Sequence, residues 1–577
     1  MKPPETLSPE TQPLKINSRN YQQTFLALLA VWFLVNFLQA AFTEILPDEA
    51  YYYLYGQHLA WGYFDHPPMI ALLIRFSSLL FYGNLGVRFM TVVLQPGTLW
   101  ITWKMIEDQK PERAGVTLFF ILAASICLFA AYGFISTPDV PLLFFTALFL
   151  YAYKRFLGQQ DMTALALLMV SMAGLVYSKY HGILVIGFVV LSNFRLLKDY
   201  RFWIAGLAAL ILLSPHIYWQ FQNDFPDLKY HLVVRAKQFN WLYFLEYLPN
   251  QLAVFNPFIL LAAIFLIFKF KPADLFMKAL YYQVIGFLGF FWLMTYRGHV
   301  EPHWNIACSI PMIIILYSGI HSGRVSLKYV RSFILPSLGL ILLARILLVT
   351  SLPPVRWLGF SGKEEKYKFI ESEAGTLPVV FSGSFSDPSL SRFFTGREAM
   401  ALSNLYTRQT QFDLWQLESK YLNKPVFLVG FHLPGSVIYK NGDMEFEGFK
   451  TDSLQATNGI TIEFDMPERT LHPGDSISLS IRVKNPCEYT LDFNHPRFPV
   501  ILSPVFAKKS EGINVLPARL SVPIGLLRNG ESLKRILKFS VPELGPGEYS
   551  FCVSLNSWLG PTYNSNFVRV KVENGVR

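Results

Sequence analysis

Long apolar runs recur through the first 351 residues of the chain. A membrane-spanning helix needs about 20 mostly apolar residues. The first run lies too deep in the chain, and is followed by too many others, to be an ordinary cleaved signal peptide. The pattern predicts a polytopic α-helical membrane protein with eleven spans, at 24–43, 85–103, 114–132, 140–156, 162–178, 182–197, 202–219, 251–269, 279–296, 304–320 and 332–351.

The remaining third of the chain changes character twice. Residues 353–455 combine short apolar strands with one helix-like stretch, which predicts a small α/β unit. Residues 456–577 contain segments that alternate between apolar and polar residues or run apolar, and turns such as PGD and GPGEY separate these segments. This pattern predicts an immunoglobulin-like β-sandwich. The membrane domain is then 1–352, and Cys487 and Cys552 could form a disulfide if the tail lies outside the cytoplasm. A stabilising or docking role is favoured for the tail over binding of an acceptor or glycan.

Composition and charge support this division. Hydrophobic residues make up 52% of the chain and charged residues only 16%, against about a quarter in soluble domains. The net charge of +10 does not come from a basic block with interleaved aromatics, so nucleic acid is not indicated as a partner. With a cytoplasmic N-terminus, the inner segments hold 17 Lys and Arg and the short outer loops hold 7. This bias predicts an N-terminus in the cytoplasm and C-terminal units outside it, in the periplasm if the cell is Gram-negative.

Carboxylates and histidines cluster at the predicted outer boundary only. Each cluster has a plain structural explanation, since acids favour helix N-termini and cations contact lipid headgroups. Together on one face they indicate an anionic substrate held by cations beside catalytic carboxylates. The candidates are Asp48, Glu49, Asp65 and His66 in the first loop, Asp139 in the second, Lys179 and His181 in the third, Arg235 in the fourth, and Arg297, Glu301 and His303 in the fifth.

Two further patterns leave alternatives open. The alternation of His299, Glu301 and His303 is typical of a metal site, although HxExH in a loop is weakly specific. A divalent metal therefore remains a candidate cofactor, with Asp65, Glu301 and His303 as its candidate ligands. The tyrosines at 51–55, with Trp61 and Tyr63, could stack on a sugar, but an aromatic belt at the membrane interface is favoured for most of them.

The order of several motifs resembles the family 39-type glycosyltransferases, which are integral-membrane GT-C enzymes similar to protein O-mannosyltransferases and the lipid A aminoarabinose transferase. The resemblance covers roughly residues 20–350 and rests on DEAYYYLYGQHLAWGYFDHPPMIAL, STPDVPLLFFTALFLYAY, GLVYSKYHGILV and the WN at the start of the tenth span. It implies transfer of a sugar from a polyprenyl-phosphate donor to a lipid, protein or glycan acceptor on the outer face, with inversion of the anomeric centre.

The resemblance also implies roles for individual residues. Asp48 would be the catalytic carboxylate that orients and deprotonates an acceptor hydroxyl, Glu49 would complete an acidic pair, and Asp139 would match the second-loop acid. Asp65 and His66 stand where aminoarabinose-transferase-like members have an acid followed by lysine, so a leaving-group role for His66 is open. Glu301 and His303 would be secondary candidates, and the predicted substrate-binding residues are Asp65, His66, Lys179, His181, Arg235 and Arg297.

Three other functions compete with this interpretation. A transferase or ligase could use a diphosphate-linked oligosaccharide, and an accessory scaffold would need no catalytic carboxylate. A transporter of lipid-linked sugars should carry ionisable residues near the bilayer midplane in inverted repeats. The polar clusters lie at one boundary instead, which favours the transferase.

Overall fold

The computed structural model describes residues 18–106, 112–230, 240–350, 352–466, 469–508 and 512–573. Its first part is helical. The helices are α1 Ser18–Phe42, α2 Pro47–Gln57, α3 Met69–Leu80, α4 Gly83–Ile106, α5 Arg113–Ser125, α6 Cys127–Ala131, α7 Asp139–Gly158, α8 Met162–Ser178, α9 Gly182–Ser192, α10 Tyr200–Gln222, α11 Pro226–Lys229, α12 Trp241–Phe255, α13 Pro257–Lys269, α14 Leu275–Met294, α15 Ser309–His321, α16 Leu327–Tyr329 and α17 Leu335–Leu348.

Each predicted span coincides with a helix or with a broken pair of helices, which confirms the polytopic α-helical class. Within the described residues, six helical segments are long and apolar enough to cross a membrane. Two bent pairs, α3 with α4 at 119° and α12 with α13 at 103°, raise that number to eight. The other three predicted spans fall on the shorter apolar helices α5, α8 and α9. Helix α3 lies inside the predicted first outer loop and was not expected.

Burial separates the centre of the helical bundle from its edge. Eleven residues of α15 are buried, on all sides of the helix, as expected for an apolar helix at the centre of a bundle. No residue of α17 is buried, so that helix lies at the edge and presents its leucines outward. The apolar surface at the edge, which includes Leu207 and Ile211 of α10, is what a lipid environment accommodates.

A buried ion pair joins the first span to the elements that follow it. Arg88 of α4 donates to both carboxylate oxygens of Glu49 in α2, at 2.7 and 2.5 Å, and neither side chain is exposed. The same guanidinium donates to the carbonyls of Ala40, Thr43 and Glu44, where α1 ends. Because every donor of this arginine is used, the pair is a well-satisfied buried charge cluster.

The C-terminal part begins with an α/β unit, as predicted. Its helices and strands are α18 Pro353–Trp357, α19 Lys363–Ala374, β1 Val379–Ser382, α20 Ser386–Thr395, β2 Ala399–Leu402, α21 Gln411–Trp415, β3 Val426–Val429, β4 Val437–Asn441 and β5 Met444–Thr451. The sheet order is β2-β1-β3-β5-β4, with β1 parallel to both of its neighbours and β5 antiparallel to both of its own.

Two facing sheets then form the predicted β-sandwich. The strands are β6 Thr461–Phe464, β7 Thr470–Leu471, β8 Ser476–Lys484, β9 Leu491–Asp492, β10 Ile501–Lys508, β11 Gly512–Val515, β12 Arg519–Leu520, β13 Leu526–Leu527, β14 Ser532–Ser540, β15 Gly547–Ser557, β16 Gly560–Pro561 and β17 Val568–Val572. The order in the two sheets is β11-β10-β15-β17-β7 and β12-β14-β8-β6, while β9 pairs with β13 and β16 with β15. Alternate residues of β8 and β15 meet in the core between the sheets.

All four cysteines lie within the described residues and are free thiols, so Cys487 and Cys552 form no disulfide here.

The tyrosines of the first outer loop bind the α/β unit to the membrane domain. Tyr51, Tyr55 and Tyr63 are buried in one apolar core together with residues of the α/β unit. The rings of Tyr51 and Phe385 stack with centroids 4.2 Å apart, and the Tyr51 hydroxyl accepts the Gln411 N–H at 2.7 Å. The predicted aromatic belt is therefore wrong for these three tyrosines, because a protein surface covers them instead of lipid headgroups.

We expect Arg88→Ala to lower the free energy of unfolding by about 3–5 kcal/mol, because Glu49 would remain buried without its partner. A matched control is Arg356→Ala, which removes an exposed pair with Glu365 at 2.8 Å and should cost less than about 1 kcal/mol. Denaturation of the purified protein in mixed micelles measures both changes. The double variant Glu49→Ala/Arg88→Ala should lose less than the sum of the single losses, and equal losses in R88A and R356A would refute the role of the pair.

Candidate active site

One cavity of about 280 Å³ collects most of the predicted substrate-binding residues. Its polar lining includes Asp65, His66, Lys179, His181 and Arg297. Its apolar lining comes from α9, α11 and α14, with Ile183, Leu184, Leu228, Phe290, Phe291 and Met294. The cavity is thus amphipathic. Arg235, the remaining residue of that prediction, lies outside the described residues.

The hairpin between α8 and α9 places Lys179 beside Asp139. The turn is tight, because a Cβ at Gly182 would lie 2.5 Å from the Leu175 carbonyl oxygen. The Lys179 ammonium donates to Asp139 Oδ1 at 2.8 Å, and both side chains are buried. Asp139 opens α7, and its Oδ2 lies 3.8 Å from His303 Nε2. The carboxylate therefore anchors a cation in the cavity wall.

The loop between α2 and α3 orients Asp65 and His66. The Tyr55 hydroxyl donates to Asp65 Oδ1 at 2.7 Å, and His66 Nε2 lies 3.1 Å from the Tyr52 hydroxyl. Two prolines follow His66 and restrict the backbone before α3 begins. Both side chains line the cavity, and Tyr55 and Tyr52 hold them in position.

Asp48 differs sharply from its neighbour Glu49 although both lie in the first turn of α2. Its side chain is accessible, yet it sits in a recess of the protein. The resulting desolvation, together with the negative charge of Asp65, raises the pKa of Asp48 to about 6, although Arg408 acts in the opposite direction. Smaller contributions from Glu49 and Glu301 also raise this pKa. A carboxylate with such a pKa is suited to accept a proton near neutral pH.

Glu49 faces away from solvent and is held on both oxygens. Besides Arg88, it accepts the Ser136 N–H at 2.8 Å and the Leu46 N–H at 3.1 Å. These bonds join the second outer loop to the start of α2. The environment favours a positioning role for Glu49, which would orient Asp48, over the catalytic role predicted from the sequence.

His181 and Arg297 contribute to different parts of the cavity. The His181 ring packs against Phe291 and Trp304, with centroids 4.9 and 4.8 Å away. Arg297 is exposed at the rim and ends the 3-10 turn Thr295–Arg297 that follows α14. A cation at the rim and a histidine held between aromatic rings are both suited to contact an anionic group.

The predicted metal ligands do not come together. Among the described residues, no three His, Cys, Asp or Glu side chains are grouped so that they could hold a metal ion. Glu301 Oε2 lies 3.7 Å from His299 Nε2, whereas His303 is near Asp139. The set Asp65, Glu301 and His303 therefore does not fit a resident divalent metal with three protein ligands.

Two residues that contact this site had not been expected from the sequence. Arg408 of the α/β unit lies 3.3 Å from Asp65, across 343 positions of the chain. Tyr132, at the end of α6, donates to Asp139 Oδ2 at 3.4 Å. No local spacing rule connects Arg408 with Asp65. Tyr132 lies only seven positions before Asp139, and this proximity was the available sequence signal.

Comparisons with known proteins agree with this architecture. A family model described as dolichyl-phosphate-mannose-protein mannosyltransferase matches residues 65–219. The lipid A galacturonosyltransferase RgtD of Rhizobium johnstonii is 28% identical over 241 residues, which is 39% of this chain and 50% of that protein. The chain thus spans about half the length of this relative.

The solved structures concern the fold. ArnT from Cupriavidus metallidurans, in crystals bound to undecaprenyl phosphate and in the apo state, is similar with TM-scores of 0.54 and 0.52. Both comparisons have 14% identity and cover 74% of this chain and 98% of ArnT. The shared fold, the match over residues 65–219 and the similarity to RgtD lead to one conclusion: the chain has the fold of ArnT and is similar to membrane glycosyltransferases over part of its length.

Proposed function

We propose that the protein transfers a sugar from a polyprenyl-phosphate donor to an acceptor at the outer face of the cytoplasmic membrane. The observation that carries this proposal is the amphipathic cavity, whose lining includes cationic side chains as well as many apolar ones. A polyprenyl phosphate has the same two parts, an anionic head and a hydrocarbon tail. The similarity to ArnT, crystallised with undecaprenyl phosphate, and to RgtD, a lipid A galacturonosyltransferase, supports a lipid-linked donor and a lipid acceptor.

The cations of the cavity would stabilise the leaving group, which is the polyprenyl phosphate. When the bond between sugar and phosphate breaks, negative charge develops on the phosphate oxygens, and fixed cations stabilise that charge. Lys179 and Arg297 line the cavity for this task, with His66 and His181 beside them. The apolar residues of α9 and α14 would hold the first part of the lipid tail, so the donor would enter sideways from the bilayer.

Asp48 would act on the acceptor. As a carboxylate it would remove the proton of an acceptor hydroxyl while the hydroxyl oxygen attacks the anomeric carbon. Attack from the face opposite to the departing phosphate inverts that centre. Glu49 holds the helix from which Asp48 projects, through its two bonds to Arg88.

The orientation is part of the same proposal. The excess of Lys and Arg in one set of loops supports an N-terminus in the cytoplasm, and Asp48, Asp65 and Arg297 would then lie on the outer side. The α/β unit and the sandwich would also lie outside, in the periplasm of a Gram-negative cell.

Asp48→Asn should reduce sugar transfer at least 100-fold, because positioned acid–base groups contribute about 10²–10⁴. The assay follows labelled sugar from polyprenyl-phosphate donors to envelope acceptors, in membranes that contain each protein at matched abundance. Asp224→Asn is a suitable control, since Asp224 is exposed in an outer loop and its positive φ of 59° suits asparagine. Equal transfer by wild type and D48N would remove Asp48 from catalysis, and transfer only from diphosphate-linked oligosaccharides would favour the ligase.

The rate should also depend on pH in a defined direction. Asp48 must be deprotonated to act as a base, and its pKa is about 6. The transfer rate should therefore rise as the pH increases through about 6 and level off above 7. A rate that stays constant from pH 5 to pH 8 would contradict the raised pKa, whereas the residual rate of D48N should lack this rise.

Lys179→Met should weaken binding of undecaprenyl phosphate about 10- to 100-fold, because a hydrogen bond to a charged group contributes about 1.5–3 kcal/mol. The thermal stabilisation of purified protein by the lipid measures this change. K179M also leaves Asp139 without its 2.8 Å partner, so the double variant Lys179→Met/Asp139→Asn separates lipid binding from that defect. Lys229→Met, at an exposed lysine of the same predicted face, is the control. Unchanged binding in both K179M variants would exclude Lys179 from the phosphate site.

A further inference from the structure

We infer that the α/β unit completes the active site, and that Arg408 is a positioning residue that holds Asp65 in the cavity wall. Arg408 Nη2 lies 3.3 Å from Asp65 Oδ2, and Nη1 donates to the Tyr230 hydroxyl. The guanidinium also lies over two aromatic rings, 5.0 Å from the centroid of Tyr230 and 4.8 Å from that of Phe385. This inference rests on the proposed function wherever sugar transfer is used to test it.

The geometry requires an arginine. A planar guanidinium can stack on aromatic rings and donate in its own plane at the same time, whereas an ammonium has no such plane. Asp65 is nearly buried, with 6% of its side chain exposed. Its charge therefore needs a partner close by, and Arg408 provides one from a different unit of the protein.

The segment that carries Arg408 is itself held from both sides. Gln411 forms two bonds with the membrane domain, since its N–H donates to the Tyr51 hydroxyl and its Oε1 accepts the Phe64 N–H, each at 2.7 Å. On the other side, the Leu405 N–H donates to the Pro561 carbonyl at 2.7 Å.

Other bonds from the sandwich reach the same segment. Tyr563 donates its hydroxyl to the Thr407 carbonyl at 2.8 Å, and the Asn404 side chain donates to the Leu559 carbonyl at 3.1 Å. The sandwich thus braces the segment that positions Asp65. This gives the tail a role at the site, beyond the docking role favoured from the sequence.

Arg408 also affects the predicted base. Asp65, Glu49 and Glu301 face Asp48 from the first loop, from α2 and from the fifth loop, and all three raise its pKa. Arg408 faces it from the α/β unit and lowers that pKa. Loss of the guanidinium should therefore shift the acidic limb of the pH–rate profile towards higher pH, which a merely structural role would not do.

The test compares Arg408→Gln, Arg408→Lys and Arg397→Gln in the full-length protein. Arg397 is the matched control, because it pairs at 2.9 Å with the nearly buried Glu371 of the same α/β unit. R408Q should lower the transfer rate at least tenfold and move the acidic limb of the pH–rate profile towards higher pH. R408K should transfer sugar at a reduced rate, with the acidic limb of its pH–rate profile near that of the wild type. R397Q should transfer sugar at a rate within twofold of the wild-type rate.

Hydrogen–deuterium exchange of the purified protein supplies a readout that needs no activity. Residues 58–66, which carry Asp65, should exchange at least threefold faster in R408Q and R408K than in R397Q. If the wild type transfers no sugar, the proposed function fails, and the exchange rates alone decide the role of Arg408. If R408Q does not fold, R408K decides it. Wild-type exchange in R408K, or a wild-type rate and pH profile in R408Q, would overturn the inference.

Discussion

The buried pair of Glu49 and Arg88 is the interaction on which the arrangement of α1, α2 and the loop before α7 depends. Two opposite charges without solvent are costly unless each is fully bonded. Here the guanidinium also holds the carbonyls at the end of α1, and the carboxylate holds the backbone of the second outer loop at Ser136. One ion pair therefore fixes the end of the first span, the start of α2 and the loop before α7. Asp48 projects from the turn that this pair immobilises.

The first outer loop is also the surface on which the C-terminal part rests. Tyr51, Tyr55 and Tyr63 share an apolar core with the α/β unit, and their hydroxyl groups are used for polar contacts. Tyrosine suits this position because it buries a large ring and keeps one polar atom for a partner. The carboxylate of Asp65 receives one such hydroxyl and the guanidinium of Arg408. Packing between units and geometry of the site are thus produced by the same side chains.

The cavity combines two chemical environments at the predicted membrane boundary. Its charged lining comes from loops, where water and polar groups are tolerated, and much of its apolar lining comes from α9 and α14. A ligand with one anionic and one hydrocarbon part suits such a mixed lining. The raised pKa of Asp48 has the same origin, since a recess beside other acids disfavours its charged form.

The helical spans, the strands and the loops that carry the polar clusters could be predicted from the sequence alone. Apolar runs predicted the spans, though not α3, alternation in segments such as SISLSIRVK predicted the strands, and the acids and cations were found in predicted outer loops. These features are local, because a helix buried in lipid or a strand buried in a sheet shows a characteristic pattern of apolar residues over a short stretch of sequence.

Which of these residues meet became clear from the folded structure. It paired Glu49 with Arg88, buried tyrosines that looked like an interfacial belt, separated the candidate metal ligands and brought Arg408 to Asp65. The members of an ion pair or a shared core have no characteristic separation in the sequence. They are brought together by how the units pack and not by their order along the chain.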